Sequence, residues 1–459
     1  MNLHRLLLER QEQDNPVGIG IIGCGKFASM FLAQANRTPG IHVAAIADLS
    51  PEHARASLRR VGWPEEQFAA RDAGEAFRSR SAWITEDVES LFQQEQIDVA
   101  IDATGDTLAG VRHVMLACRY GKSIVMANVE TDALAGPLLA QEARKAGVVY
   151  SLAYGDQPAL ICEQVDWARA AGFEVVAAGR GHKWLPEYQY ATPDNVWKCY
   201  GLTHEQAKQG GMNPKMFTSF LDGTKPAIES TSVANATGLT PAPNGLDYPP
   251  ARIDELPNIC RPRSEGGKLH HKGQVEVISS LDGKGMQLDY DIRFGVFVSI
   301  EADSEYVARC FGEYGLQTDD SGRYATMYRR WHLIGLELGI SIASVALRGE
   351  PTGVPNGWRA DAIAVAKRNL HAGAMLDGEG GHDVSGVLAP SSLSMAKGTL
   401  PVGLTHGARL VNDVAKGRKI LWSDVVVDEN QPAVQLRREM QDTFRPNVPE
   451  GERRPRQLG

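Results

Sequence analysis

An apolar run that enters a glycine turn, followed by a helix and a second apolar run ending in a carboxylate, constrains this chain most. Residues 17–28 read Val-Gly-Ile-Gly-Ile-Ile-Gly-Cys-Gly-Lys-Phe-Ala, and residues 41–48 read Ile-His-Val-Ala-Ala-Ile-Ala-Asp. Strand, turn, helix and second strand open a doubly wound parallel sheet. Gly23 supplies the tight turn, Gly25 lets a ligand approach the backbone, and Ala28 lets the helix lie close on the strand. Free N–H groups at the helix start favour an anion such as a pyrophosphate. Asp48 stands where a carboxylate would bind an adenine ribose hydroxyl. The expectation is a dinucleotide site at Gly23, Gly25, Lys26, Phe27 and Asp48. The plainer alternative is a tight turn in a nucleotide-free doubly wound domain.

At 459 residues the chain exceeds one ordinary core, so two or three domains are expected. Net charge is −8 with no long basic run, which argues against nucleic acid or an anionic membrane as the main partner. No stretch reaches the roughly 18 uninterrupted apolar residues of a membrane span. Residues 1–16 read as an amphipathic helix, packing on the first domain or a partner subunit, and not as a secretory signal. The cysteines are scattered, with no Cys-x-x-Cys pair, as expected of reduced thiols in a cytoplasmic protein. Cys24 needs only to be small.

Residues 17–155 alternate strand and helix, with helices near 26–36, 51–60, 86–95, 107–120 and 131–146 and strands near 41–47, 98–103, 123–127 and 148–152. Residues 61–85 look like an insertion that covers the adenine end of a cofactor, contacts a second subunit, or is a plain surface excursion. Three strand ends should face a cofactor: Asp102-Ala-Thr104-Gly105-Asp106, Met126-Ala-Asn128-Val-Glu130 and Tyr154-Gly-Asp156-Gln-Pro. Thr104 and Gly105 would let a nicotinamide ribose pass, with Asn128 and Glu130 alongside. Each is also an ordinary helix-capping sequence. Gly121-Lys-Ser resembles the end of a phosphate loop, but it lies between helix and strand, and position 116 is Leu where such a loop needs Gly.

A helix over 157–172 leads into a strand from Phe173. Strands are expected at 275–281 and 288–301, and helices at 304–313 and 327–347. The block from Gly181 to Gly238 mixes charged residues with small and apolar ones, as the lining of a half-buried cleft would. Its candidates are Lys183, Asp222, Lys225 and Glu229 for acid–base work, and Asp156, His182, Asn213, Lys215, Ser230 and Asn235 for substrate contact. Buried inter-domain ion pairs are the structural alternative. The loop 240–263, with Arg261, Arg263 and Lys268 around Ser264-Glu-Gly-Gly267, is either an anion-gripping or a simple exposed loop. Residues 359–428 turn Gly-rich and short-stranded, a compact β module, and 445–459 are poor in apolar residues and expected to be disordered.

Three of these stretches together resemble known families. Ala127-Asn-Val-Glu-Thr-Asp resembles the Ala-Asn-Lys-Glu segment of homoserine dehydrogenases and deoxyxylulose-phosphate reductoisomerases. His182-Lys-Trp184 and Asp222-Gly-Thr-Lys225 are similar to the reductoisomerase-like branch of the homoserine-dehydrogenase-related oxidoreductases. The 359–428 module is similar to the SAF (antifreeze-like, β-clip) domain. The resemblance implies a homodimer that uses NADPH to convert 1-deoxy-D-xylulose 5-phosphate into 2-C-methyl-D-erythritol 4-phosphate. Two departures stand out. Val129 replaces the lysine of both older families, leaving Lys183, Lys215 or Lys225 to take its part. Asp156-Gln-Pro keeps the Asp but loses the Glu of the Asp-Ser-Glu metal-binding segment, so Asp156 and Glu229 are the remaining candidates for Mg or Mn. Asp48 favours NAD, because it repels a 2′-phosphate; the resemblance favours NADP, with Arg55 or an arginine of 61–85 as compensation.

The expected fold is therefore α/β. It comprises an N-terminal helix (1–16), a Rossmann doubly wound domain (17–156), an α+β catalytic and dimerisation domain (157–358), a SAF-like β module (359–430) and a partly disordered tail (431–459). In the expected reaction, Lys183 or Lys225 polarises a hydroxy-carbonyl or sugar-phosphate substrate or moves its proton, and Asp222 or Glu229 orients that lysine. The rivals are dehydrogenation of homoserine, a sugar acid or a polyol, and a nucleotide-dependent carbohydrate sensor without turnover.

Overall fold

The computed structural model describes residues 2–445. The chain opens with α1 (Leu3–Glu12) and continues through β1 (Val17–Ile22), α2 (Lys26–Ala35), β2 (Ile41–Ala47), α3 (Pro51–Arg60), α4 (Ala73–Ser79), β3 (Trp83–Thr85) and α5 (Val88–Phe92). β4 (Val99–Asp102), α6 (Thr107–Arg119), β5 (Ser123–Met126), α7 (Val129–Lys145) and β6 (Tyr150–Leu152) complete a six-stranded parallel sheet of order β3-β2-β1-β4-β5-β6. Strand order reverses between β1 and β4, the switch point at which α/β sheets take their ligands. α1 packs on this domain: a side chain at Gly40 would come within 2.0 Å of the Leu7 carbonyl.

Residues 61–85 are not an insertion. They carry α4 and then β3, the edge strand that pairs with β2. β3 is only three residues long, too short for a periodic pattern to show.

The second region runs through α8 (Gln157–Ala170), β7 (Glu174–His182), α9 (Val196–Tyr200), α10 (His204–Gln209), α11 (Pro214–Leu221) and α12 (Thr224–Thr237). It continues with α13 (Leu256–Ile259), β8 (Gln274–Ser279), β9 (Val296–Glu301), α14 (Glu305–Glu313), β10 (Tyr324–Arg329) and α15 (Gly339–Arg348). Its sheet has the order β10-β9-β7-β8, with β7 parallel to β8 and the other pairs antiparallel. The helix expected over 327–347 does not form as such. Its first part is the end of β10, where Tyr324–Arg329 pairs along β9, and only 339–348 is helical. The strand expected from 288 begins at Val296.

α12 is buried along nearly its whole length. Ala, Ser and Thr dominate it, and their small volume lets α7, α8, β11 (Ala360–Ala366) and β12 (Val384–Pro390) close on it from several sides. β11 and β12 form an antiparallel pair. They are followed by α16 (Ser391–Lys397), β13 (Arg409–Leu410), β14 (Val425–Val426) and α17 (Pro432–Thr443). These late elements share one core with the first domain, since Leu400, Leu404 and Ile420 belong to the same apolar cluster as Val111, Leu134 and Leu139. The expected tail from 431 therefore begins as a helix. Its Arg437 is wholly buried, pairs with Asp361 and donates to the Leu134 carbonyl at 2.9 Å. The rest of that tail, 446–459, lies outside the described residues. Among the described residues no helix is long and apolar enough to cross a membrane.

Candidate active site

β1 ends in the glycine turn. Gly23 sits at φ +84°, and a Cβ there would press on backbone of Ala103 and Thr104 at 3.1 Å. At Gly25 nothing lies within 4 Å of a Cβ position. That open space fronts the first turn of α2, whose N–H groups have no intrahelical partner. Donor N–H groups beside this open cradle fit a pyrophosphate. Lys26 is exposed and Phe27 half-buried at the same helix start. Asp48 braces the turn: its carboxylate accepts from the Cys24 N–H at 2.7 Å and the Ser50 N–H at 2.9 Å. A carboxylate has roughly four acceptor positions, so Asp48 keeps capacity for a ribose hydroxyl. Arg55 is turned away, donating to the Phe68 carbonyl. Burial pushes the Cys24 thiol up to about 11, so it is inert at neutral pH.

The three strand ends share one edge, and in each an Asp or Asn caps the helix that follows. Asp106 accepts from Leu108 and Ala109 N–H, Asn128 from Thr131 N–H, and Asp156 from Gln157 N–H. The Asn128 amide is further spent on Thr104 Oγ1 at 3.2 Å and the Asp106 carbonyl at 2.8 Å. Gly105, at φ +67° with open space around it, leaves this edge uncovered.

α12 begins directly opposite. Lys225, in its first turn, forms an ion pair with Glu130, in the first turn of α7. Both are mostly buried, and Glu130 with Asp156 and Glu379 holds the Lys225 ammonium above its ordinary value against the cost of burial. Glu379 comes from the β11–β12 connection and accepts a hydrogen bond from Ser219. Burial and the Glu130 charge push its carboxyl up to about 7.

The expected orienting carboxylates pair elsewhere. Asp222 meets Lys367 at 2.6 Å, and Lys367 also donates to the carbonyls of Ala191 and Gly381 at 2.7 and 2.8 Å. Glu229 is bound to Arg180, whose buried guanidinium is lowered to about 10. Lys183 donates to the Cys199 carbonyl at 2.7 Å, lies against the Tyr200 ring, and contacts neither Asp222 nor Glu229. Residues 183–221 fold on a small apolar cluster of their own around Trp197 and Leu221, and that cluster holds Lys183 back.

The substrate candidates divide in the same way. His182 is buried next to Arg180, which together with burial keeps its imidazole neutral, and its Nε2 has no hydrogen-bond partner among the described residues. Asn213 caps α11, and exposed Lys215 reaches the Asp377 carbonyl at 3.2 Å; neither joins the cluster. Asn235 is consumed by the Arg359 and Ala360 N–H groups, and Ser230 is buried within α12. Lys367, Glu379 and Arg180 were not singled out in the sequence. The glycines of Asp377-Gly-Glu-Gly-Gly-His-Asp were the available signal for Glu379, because a carboxylate on a glycine-wrapped loop can be carried to a distant site.

Asp156 and Glu229 do not form a divalent-cation site. The Glu229 carboxylate is held by Arg180, Asp156 caps α8, and no three Asp, Glu, His or Cys side chains converge among the described residues. A dinucleotide does fit, at the cradle before α2.

The fold and this edge suit a nicotinamide dinucleotide, and two oxidoreductase family models match parts of the chain. Residues 17–154 match the GFO/IDH/MocA family, described as an oxidoreductase family with an NAD-binding Rossmann fold, and residues 155–338 match the catalytic domain of oxidoreductase DRL. Each match covers less than half of the chain, and the two lie end to end across the first sheet and the second region.

No curated protein matches the chain. Among solved structures, it is similar to 1-deoxy-D-xylulose 5-phosphate reductoisomerase from Zymomonas mobilis in complex with NADPH, at 17% identity over 48% of this chain and 57% of that one, TM-score 0.33. An oxidoreductase from Agrobacterium radiobacter in complex with NAD+, L-tartaric acid and magnesium gives 17% identity over 37% and 44%, TM-score 0.27. A putative NADPH-dependent oxidoreductase from Desulfitobacterium hafniense gives 10% identity over 73% and 89%, TM-score 0.34. The chain spans about half the length of the first two structures.

Proposed function

We propose that the chain reduces the carbonyl of a small polyhydroxylated substrate, with Lys225 as proton donor. The observation that carries this reading is the Lys225–Glu130 pair at the open edge beside Thr104 and Gly105. A nicotinamide bound along that edge would supply the hydride. Lys225 is kept as an ammonium and so can give its proton to the carbonyl oxygen as negative charge develops there. Glu130 fixes the direction of that ammonium. His182, neutral and with one free ring nitrogen, is suited to a substrate hydroxyl. Lys225 also answers the departure at Val129: its ammonium arrives from α12 beside the next residue along, Glu130.

The first specific reaction on this reading is reductive isomerisation of 1-deoxy-D-xylulose 5-phosphate to 2-C-methyl-D-erythritol 4-phosphate, supported by the motif resemblance. A second reading, redox of a sugar acid or polyol, is favoured by the donor set around Asp156 and Glu229, which does not suit a cation-chelated hydroxy-ketone. The antiparallel β11–β12 pair is compatible with a SAF-like module.

NADPH and NADH oxidation with 1-deoxy-D-xylulose 5-phosphate, with and without Mg²⁺ or Mn²⁺, tests the first reading. Turnover supports it. Absence of turnover, together with NAD+ reduction by sugar acids or polyols, supports the second. Lys225→Met should abolish either activity, and survival of turnover in that variant would refute the assignment of the proton donor.

A further inference from the structure

The excursion after α12 turns back toward the cleft at one residue. Gly245, at φ +90°, passes so close to β12 that a Cβ would lie 2.4 Å from the Leu388 carbonyl. Further on, the Pro249 carbonyl accepts from the Ser279 N–H at the end of β8, at 3.0 Å. Between these anchors stands Tyr248, at φ +49°. That backbone region is costly for a ring-bearing residue and persists only where the surroundings impose it. Glu276 imposes it here, because its buried carboxylate accepts from the Asp247 and Tyr248 N–H groups at 3.1 and 3.3 Å. The ring is held as well. It stacks on Trp184, with centroids 4.2 Å apart and planes 18° from parallel. Trp184 closes the His182-Lys-Trp run, and its own carbonyl accepts from the Ser279 hydroxyl at 2.8 Å.

Backbone and ring are thus fixed, and the hydroxyl is left over. It has no hydrogen-bond partner among the described residues, and Tyr248 is only half-buried. A Cβ built on Gly223 would lie 3.0 Å from that oxygen and 3.0 Å from the Trp184 ring. Gly223 is the N-cap of α12, two residues before Lys225. We infer that Tyr248 is a substrate-binding residue, offering its hydroxyl to a substrate oxygen at the mouth of α12. The inference rests on the reading of this cleft as the seat of a small polyhydroxylated carbonyl compound. A phenol both donates and accepts a hydrogen bond, so it suits a ligand hydroxyl, which does the same. Packing on Trp184 alone needs only the ring.

Tyr248→Phe keeps the ring and its stack and removes only the oxygen. Steady-state kinetics are read with whichever of 1-deoxy-D-xylulose 5-phosphate, the sugar acids and the polyols the wild type turns over. KM should rise roughly threefold to tenfold, the loss of one neutral hydrogen bond, with kcat within about twofold of wild type. An unchanged KM in a variant that melts with the wild type overturns the inference. A variant that melts well below the wild type overturns it too, because the oxygen is then a structural group. If the wild type turns over none of these compounds, the reading beneath fails instead, so the two failures are distinguishable.

Discussion

The ammonium of Lys367 lies 2.6 Å from the carboxylate of Asp222, and both side chains are sealed from solvent. Burial pushes the Asp222 carboxyl up, and Lys367 is the main influence that opposes this. Removing the lysine alone leaves an uncompensated buried acid. Lys367→Met should cost about 3–5 kcal/mol in urea unfolding, and Asp222→Leu added to it should recover much of the loss. If the double variant is as unstable as the single, charge compensation is not what the pair provides.

The glycine turn separates stability from cofactor binding. Gly25→Val places a side chain in open space, so the fold should survive while NADH and NADPH affinity, read by nicotinamide fluorescence, falls at least about tenfold. Gly23→Ala does the opposite. It forces a side chain at φ +84° against backbone and should lower stability by roughly 1 kcal/mol or more. Tight cofactor binding by Gly25→Val would move the pyrophosphate elsewhere.

Asp48 carries charge near the expected ribose and also braces the turn through the Cys24 N–H. Asp48→Asn keeps an acceptor for that bond and removes the negative charge. The ratio of NADH to NADPH dissociation constants should then shift toward NADPH by several-fold, and more so at low salt. No shift would mean that the adenine ribose lies away from this carboxylate.

Asp132 is buried in α7, accepts from the Tyr150 hydroxyl at 2.8 Å, and is pushed by burial up to about 6 from 3.8. Between those values the folded chain holds a proton that the unfolded chain has released. Stability should therefore fall as pH rises from about 4 to about 6. Asp132→Asn does not titrate and should flatten that decline, by up to about 3 kcal/mol. Parallel stability–pH curves for the two proteins would show that Asp132 stays ionised.

The first domain was legible because its signals are local. Apolar strands, capped helices and the turn at 23–25 each occupy a short window, and most expected bounds agree with the structure within a few residues. β3 was missed because a three-residue strand has no period, and β10 because Tyr324–Arg329 gains its strand character from pairing along β9. In the site, the partners differ from those expected. Lys225 was expected to meet Asp222 or Glu229 and instead meets Glu130, while those two acids turn to Lys367 and Arg180. Composition marks a residue as chemically able; only the packing of α12 against α7 and the β11–β12 pair decides which charges meet.

The late position of Lys367 and Glu379 has a consequence for biosynthesis. During translation, Glu130, Asp222 and Lys225 leave the ribosome roughly tens of seconds before the strands that complete their surroundings. The parallel sheet can form in that interval, but Asp222 then has no lysine and α12 no β cover. A nascent chain at this stage has the strands of the first sheet but lacks Leu400, Leu404 and Ile420 of that domain's core, and its cleft is unfinished and hydrated, exposed to chaperones and proteases. Ribosome stalling just before residue 360 should arrest the chain in that condition.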